Sequence, residues 1–163
     1  AFAKSMGAKR VILAGRLKHK LEIGLKMGAD EAFSTADISI TDYIRQNCGG
    51  RIFNVLDCSG NIDIMDECIE VIAKTGTIAL AGFFEAPYLN FNIDKFIMRA
   101  AHMNGVMGGD IYTQTSIQKV YEEGLDLTGV ITRRASFDEA RGIMMDIINS
   151  GHNPEIKVMI SFN

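Results

Sequence analysis

Three short, mainly apolar runs, separated by amphipathic stretches, constrain the fold of this chain more than any other feature. The runs lie at residues 10–15, 52–57 and 77–81. A strand without polar alternation is typically buried on both faces, as in parallel sheets. Because parallel neighbours are joined by a crossover, usually a helix, the sequence predicts an α/β fold built on a parallel sheet.

The stretches between these runs carry the spacing and the end signals of helices. Apolar residues recur at three and four positions over 62–72, and Gly28 and Gly151 stand where a helix needs a left-handed residue to end. Ser136 and Glu139 have the spacing of a capping box. Helices are predicted over 18–27, from 39 to 49, and over 62–72, 116–123 and 137–150, and further short strands near 31–33, 102–107 and 157–162. The last helix is expected to bury Ala140, Ile143, Met144, Ile147 and Ile148.

Composition excludes several classes of protein. With 163 residues, 47% of them hydrophobic, the chain can bury an ordinary core. Its net charge of −3 gives no general attraction to nucleic acid, and no apolar run reaches the ~20 residues that span a bilayer. The cysteines, Cys48, Cys58 and Cys68, are odd in number and lack CxxC spacing, so neither a disulfide framework nor a metal site is expected. These features favour a cytoplasmic protein that acts on small molecules, without nucleic-acid or membrane partners.

The residues that follow each apolar run are the candidates for a binding site, because open parallel sheets bind ligands at the carboxyl ends of their strands. They lie at 15–16, 57–60, 82–83 and 106–109. Small residues such as Gly60 and Gly82 let a flat ligand approach the backbone closely. The same glycines are equally compatible with simple turns.

The first of these segments leads into a cationic helix start. Arg16, Lys18 and Lys20 place positive charge where the helix dipole disfavours it, by ~0.3–1 kcal/mol each at an exposed site. An anion bound at the helix N-terminus would reverse that penalty. In dinucleotide-binding folds an acid ending the second strand binds the ribose 2′-hydroxyl, whereas a 2′-phosphate needs a nearby Arg. Gly15 and Arg16 occupy that place, which favours NADP over NAD; the alternative is a solvated basic first turn.

Six segments, in order along nearly the whole chain, resemble the cofactor-binding half of the medium-chain, zinc-containing alcohol and polyol dehydrogenases. They are residues 3–12, 20–31, 56–60, 75–82, 137–140 and 157–158. The resemblance implies a Rossmann-type, doubly wound parallel sheet, an NAD or NADP cofactor, and hydride transfer to or from an alcohol. In that family the first strand and its glycine-rich loop would precede Ala1, so the sheet is expected to lack its first strand.

The resemblance also assigns residues of this chain to the cofactor. They are Gly15, Arg16 and Lys20 at the adenosine ribose, Cys58 at the wall after the fourth strand, Ala81 and Phe83 on the nicotinamide side, and Val106 and Met107 at the carboxamide. No catalytic residue and no metal ligand is expected in the chain, and zinc is expected only in a separate catalytic domain. Residues 1–135 are expected to form the nucleotide-binding domain, incomplete at its N-terminus. Residues 136–163 are expected to return toward the catalytic domain.

The predicted function is the cofactor-binding portion of an oxidoreductase that transfers hydride between an alcohol or polyol and NAD(P). Alone, the chain is expected to be inactive, and the resemblance implies a homodimer or homotetramer. Two alternatives stay open: a zinc-free quinone or enoyl reductase of the same superfamily, and a nucleotide-binding module without catalysis. A methyltransferase is a weaker possibility, because residues 137–162 fit the helix and strand of the dehydrogenases better.

Overall fold

The computed structural model describes residues 1–85, 92–108, 110–151 and 153–162. Gly109, the last residue of the fourth expected binding segment, lies outside the described residues. The helices are α1 Phe2–Ser5, α2 Lys18–Lys26, α3 Ile40–Asn47, α4 Ile62–Val71, α5 Ile93–Met98, α6 Asp110–Glu123 and α7 Phe137–Ser150, with a 3-10 turn at Thr128–Val130. The strands are β1 Ile12–Gly15, β2 Glu31–Ser34, β3 Ile52–Asp57, β4 Ile72–Leu80, β5 His102–Gly105, β6 Ile131–Ser136 and β7 Lys157–Ser161.

The chain divides into two compact units. The first unit comprises Ala1–Phe33 and Ile117–Asn163, and the second comprises Ser34–Ser116. In the first unit β1 pairs with β2, and β6 pairs in parallel with β7. Asp30 holds the start of β2 in place, because its carboxylate accepts hydrogen bonds from the Lys4 ammonium and from the Val11 N–H. These two contacts, the Val11 N–H foremost, hold the pKa of Asp30 below its usual value.

The second unit contains a three-stranded parallel sheet in the order β3-β4-β5. Helices α3 and α4 pack on each other, and the most deeply buried side chains of the chain belong to α4 and β4: Met65, Ile69, Val71, Ile72 and Ile78. Strand β3 is less buried than its apolar run predicts. Phe53 and Leu56 are 65% and 64% exposed, because β3 is an edge strand of this sheet and, among the described strands, pairs only with β4.

Capping residues explain where several helices begin and end. The Ser39 side chain accepts a hydrogen bond from the Asp42 N–H, and the Asn61 side chain caps α4 in the same way. The capping box of Ser136 and Glu139 is confirmed at the start of α7, which ends at Gly151 with a left-handed φ of 62°. The sequence signals therefore predict the ends of these helices correctly.

The prediction that the helix over 62–72 includes residue 72 is wrong. Ile72 has extended backbone and is the first residue of β4, which begins five residues before the predicted start at 77. The apolar pattern could not show this, because Val71, Ile72 and Ala73 are all buried and continue the run without a break. Strand β4 is irregular where it begins: Ile72 pairs with Ile52, and the regular register resumes only at Thr77. Strand β6 was not predicted, since two arginines interrupt its apolar pattern.

The expected buried stripe of α7 is also only partly correct. Ile143 is buried, but Met144 and Ile148 are 62% and 66% exposed. The helix is amphipathic as predicted, yet only a narrow line of it is covered by β6 and β7 in the first unit. Helical periodicity identifies the apolar face and does not show how much of that face is covered.

Relieving backbone strain at Thr75 should stabilise the protein. Thr75 adopts φ 59°, which costs a residue with a side chain ~1–2 kcal/mol. We expect Thr75→Gly to raise the free energy of unfolding by about 0.5–1 kcal/mol. The gain is smaller than the strain, because glycine also increases the conformational entropy of the unfolded chain. Urea unfolding would measure the gain. The control Thr77→Gly, in the regular part of β4, should instead lower the free energy of unfolding. A lower value for Thr75→Gly as well would show that the backbone at Thr75 is not strained.

Two neighbouring apolar residues of α7 should differ in their contribution to stability. We expect Ile143→Ala to lower the free energy of unfolding by about 2–4 kcal/mol, because it empties a buried site. Met144→Ala should change it by no more than about 0.5 kcal/mol, since that side chain is mostly exposed. Urea midpoints of the two variants would test the difference, and equal losses would show that the stripe is covered as first expected.

Candidate functional site

The carboxyl ends of β3, β4 and β5 lie at one edge of the parallel sheet of the second unit. We call residues 57–60, 81–83 and 106–107 the second-unit edge. The carbonyl of Asp57 accepts hydrogen bonds from the N–H groups of Ala81 and Gly82, at 2.8 and 3.0 Å. The Val106 N–H donates to the carbonyl of Leu80 at 2.8 Å. The three segments predicted to bind a ligand are therefore joined through their main chains.

The side chain of Asp57 shapes the first of these segments. It is one of two buried polar residues among those described, and its Oδ1 accepts hydrogen bonds from the N–H and the hydroxyl of Ser59, at 3.0 and 2.6 Å. Its Oδ2 accepts a hydrogen bond from the Gly60 N–H at 3.1 Å. A buried carboxylate with three donors is well satisfied. The sequence places Asp57 in the candidate binding segment 57–60 but predicts no individual role for it.

The glycines of the second-unit edge do more than form turns. Gly60 has φ 62°, and a Cβ on it would lie 2.1 Å from the carbonyl oxygen of Phe83. A Cβ on Gly82 would lie 2.3 Å from the N atom of Gly60. The two loops thus pack main chain against main chain, with no room for a side chain. This packing is a third role beside the two interpretations that the sequence left open, and close approach of a ligand to these glycines stays a prediction.

The outer surface of the second-unit edge is apolar and open. Phe83, Met107 and Val106 are 77%, 73% and 47% exposed, and Cys58, in the loop that follows β3, is exposed as well. The backbone nearby is bare, because a Cβ on Gly108 would meet nothing within 4 Å. Apolar side chains beside bare backbone suit a planar ring that carries an amide, which can take up main-chain hydrogen bonds.

Two thiols of this unit, those of Cys58 and Cys68, are not activated. Burial, with a contribution from the charge of Asp57, raises the pKa of the Cys58 thiol. Burial raises the pKa of Cys68 to about 12. Both are therefore protonated at neutral pH and poor nucleophiles. Over the described residues, no three His, Cys, Asp or Glu side chains come together closely enough to hold a metal ion.

The residues assigned to the ribose lie in the first unit, at the junction of β1 and α2. Gly15 ends β1, Arg16 is exposed, and α2 begins at Lys18 without a side-chain cap on its N-terminus. Lys20 makes hydrogen bonds that the sequence does not predict. Its ammonium donates to the carbonyls of Asn153 and Glu155, at 2.9 Å each. Lys20 therefore also fastens the segment that precedes β7, a contact across 133 residues that no local motif could indicate.

Comparison with known proteins identifies the fold. Residues 1–128 match the sequence profile of the zinc-binding dehydrogenases. An L-threonine 3-dehydrogenase of Salmonella arizonae is 29% identical, over 100% of this chain and 47% of that protein. A short chain alcohol dehydrogenase from Escherichia coli CFT073, complexed with NADH, superposes with a TM-score of 0.85 at 16% identity, over 98% of this chain and 47% of that one. A zinc-binding dehydrogenase described from Sinorhizobium meliloti 1021, bound to NADP, gives 0.84 at 20% identity, with coverage of 98% and 47%.

These similarities confirm the predicted fold class, a Rossmann-type α/β fold with parallel strands, and the predicted family resemblance. The chain spans about half the length of the curated relatives that it matches, and it corresponds to their cofactor-binding half. Among the helices that the structure describes, none has the length and hydrophobicity that a membrane span requires.

A side chain at position 60 should separate the two loops of the second-unit edge. We expect Gly60→Ala to cost more stability than Gly151→Ala, although both glycines have φ 62°. The left-handed backbone costs each variant ~1–2 kcal/mol, but only at Gly60 would the new Cβ collide with backbone, since nothing lies within 4 Å of the position at Gly151. Thermal or urea unfolding of both variants would measure the difference. Equal losses would show that the two loops do not need their close contact.

Proposed function

The chain belongs to the zinc-binding dehydrogenase family, and we propose that it is the cofactor-binding portion of an oxidoreductase that transfers hydride between an alcohol or polyol and NAD(P). The match over residues 1–128 is the observation that carries this proposal. The open apolar surface of the second-unit edge supports it from the chemistry of the residues themselves. The alcohol or polyol is proposed from the family resemblance, in which a separate domain builds most of the substrate pocket.

The second-unit edge is proposed to bind the nicotinamide end of the cofactor. Phe83 and Val106 offer apolar contact to the ring, and the backbone at Val106 and Met107 faces the carboxamide. Cys58, after β3, and Ala81, after β4, are proposed to complete the wall of this site. Similar folds in other proteins carry NADH or NADP, which supports a nicotinamide cofactor here.

The β1–α2 junction is proposed to bind the adenosine ribose and to favour its 2′-phosphate. Gly15 leaves no carboxylate to repel a phosphate, and the exposed Arg16 offers a guanidinium that suits phosphate geometry. Lys20 adds positive charge from within the first turn of α2. Helix N-termini attract anions through their N–H groups and dipole, and α2 has no side-chain cap in the way.

The bound cofactor supplies the hydride chemistry, and the residues of this chain bind and orient it. The rigid backbone contacts at Asp57, Gly60 and Gly82 fix the loops against which the ring lies. Zinc is proposed to be held in a separate domain, because the three cysteines match none of the ligand motifs of the family. The domain boundary at residue 135 and association as a homodimer or homotetramer remain predictions. The three free thiols support a reducing, cytoplasmic setting.

One alternative, the zinc-free quinone or enoyl reductases, would share everything described for this half. Activity assays of the purified protein with alcohols, polyols and quinones, with and without a zinc chelator, would separate the two functions. The other alternative is a nucleotide-binding module without catalysis, and turnover of any of these substrates would exclude it. Failure to bind either NADPH or NADH would contradict the proposed function itself.

Cofactor choice should depend on Arg16. We expect the protein to bind NADPH at least tenfold more tightly than NADH at low salt, because an Arg–phosphate hydrogen bond contributes about 1.5–3 kcal/mol. Arg16→Ala should remove most of this preference and leave NADH affinity nearly unchanged. Fluorescence titration of the reduced cofactors at two salt concentrations would measure both affinities.

Arg141→Ala is the matched control, since it removes the same charge from an exposed position of α7. It should keep the preference for NADPH. Equal affinity of the unmodified protein for the two cofactors, or a preference that persists in Arg16→Ala, would contradict the assignment of Arg16 to the 2′-phosphate.

A further inference from the structure

We propose that Asp57 is the positioning residue of the second-unit edge: it holds the loops that carry Cys58 and Phe83 in the arrangement that binds the nicotinamide end of the cofactor. This inference rests on the proposed function and gives an individual role to a residue that the sequence placed only within the candidate segment 57–60. Asp57 is not itself expected to touch the reacting atoms. It acts through the two loops.

The carboxylate of Asp57 fixes the first loop. It is 4% exposed and accepts three hydrogen bonds, two on Oδ1 from Ser59 and one on Oδ2 from the Gly60 N–H. An asparagine has the same shape but only one acceptor oxygen, so its amide group would point hydrogens at one of these donors. An unpaired donor in a buried place is costly. The loop therefore needs an acid at this position, not merely a polar residue of the same size.

The main chain of Asp57 fixes the second loop. Its carbonyl accepts hydrogen bonds from the N–H groups of Ala81 and Gly82. The first loop then rests on the second, because Gly60 packs against the Phe83 carbonyl. A displacement at Asp57 must consequently move Gly60 and, through it, Phe83. Both ends of this chain of contacts carry residues assigned to the nicotinamide.

A turn of the same design in the first unit provides a comparison. Asp126 accepts hydrogen bonds from the N–H and the hydroxyl of Thr128 at 2.8 and 2.6 Å, as Asp57 does from Ser59. Asp126 is exposed, however, and its loop carries no residue assigned to the cofactor. Loss of an ordinary aspartate turn can therefore be separated from loss of the positioning role by comparing Asp57→Asn with Asp126→Asn.

The alkylation rate of the Cys58 thiol depends on the charge of Asp57. The charge of Asp57 helps to raise the pKa of the Cys58 thiol, and only the thiolate is alkylated. Removing that charge should therefore speed the alkylation of Cys58 at a fixed pH. Cys68 is buried and serves as an internal monitor of folding, because it becomes reactive only if the core opens.

The test combines cofactor titration with alkylation of the purified protein. NADPH and NADH affinities are measured by fluorescence for the unmodified protein, Asp57→Asn, Ser59→Ala and Asp126→Asn. Iodoacetamide labelling of each cysteine is followed by mass spectrometry, with and without NADPH. We expect Asp57→Asn to weaken both cofactors by about tenfold, to label faster at Cys58, and to lose the protection of Cys58 by NADPH at a concentration that protects the unmodified protein. Cys68 should stay unlabelled.

Asp126→Asn should leave cofactor affinity within about twofold. Ser59→Ala removes the hydrogen bond that the hydroxyl donates to Asp57 and the one that it accepts from the Asn61 N–H. Because two of the three donors to the Asp57 carboxylate remain, it should weaken binding by a smaller factor, about threefold; it decides the question if Asp57→Asn does not fold. Unchanged affinity in both Asp57→Asn and Ser59→Ala, with a binding-competent unmodified protein, would overturn the positioning role alone. Failure of the unmodified protein to bind either cofactor would overturn the proposed function and this inference with it.

Discussion

The second unit depends on a contact between two main-chain segments that leaves no space for a side chain. Gly60 meets the carbonyl of Phe83, and Gly82 meets Gly60 in turn. Main-chain groups packed this closely lose access to water, so their donors must be satisfied from within the protein. Asp57 does this with its carboxylate and its carbonyl. The geometry of the proposed nicotinamide site therefore follows from the need to satisfy the N–H groups at this contact.

The fold was largely predictable because most of its elements are local. Helix caps such as Ser39 and the box at Ser136 act within four residues, and strands β1 and β3 are short apolar runs. The errors occur where local signals conflict with tertiary structure. Ile72 continues a helical pattern but is drawn into β4 by pairing with Ile52, twenty positions earlier. The exposure of Met144 depends on how much of α7 the neighbouring strands cover, which periodicity does not encode.

The candidate site was predictable only in position. The rule that ligands lie beyond the carboxyl ends of parallel strands identified Cys58, Phe83 and Val106 from their places in the sequence. Asp57 falls within the predicted segment 57–60, but its own role was not predicted, because an acid at the end of a strand is usually exposed. Its burial and its contact with residues 81–82 follow from packing between loops more than twenty residues apart. The Asp-x-Ser spacing is the one signal that could have found it, since it predicts a local turn.

In the first unit, too, a contact between residues far apart in the sequence changes what is expected of a side chain. Here it changes the roles expected of Lys20 and Arg16 in binding the cofactor. Lys20 commits two of its three donors to the carbonyls of Asn153 and Glu155. What it can offer a phosphate is then mostly charge, which is not directional. Arg16, exposed at the end of β1, has the planar fork that can pair with phosphate oxygens in two parallel hydrogen bonds. Selectivity between NADPH and NADH requires that directionality, so it should depend on Arg16, while Lys20 raises affinity for both cofactors through their shared negative charge.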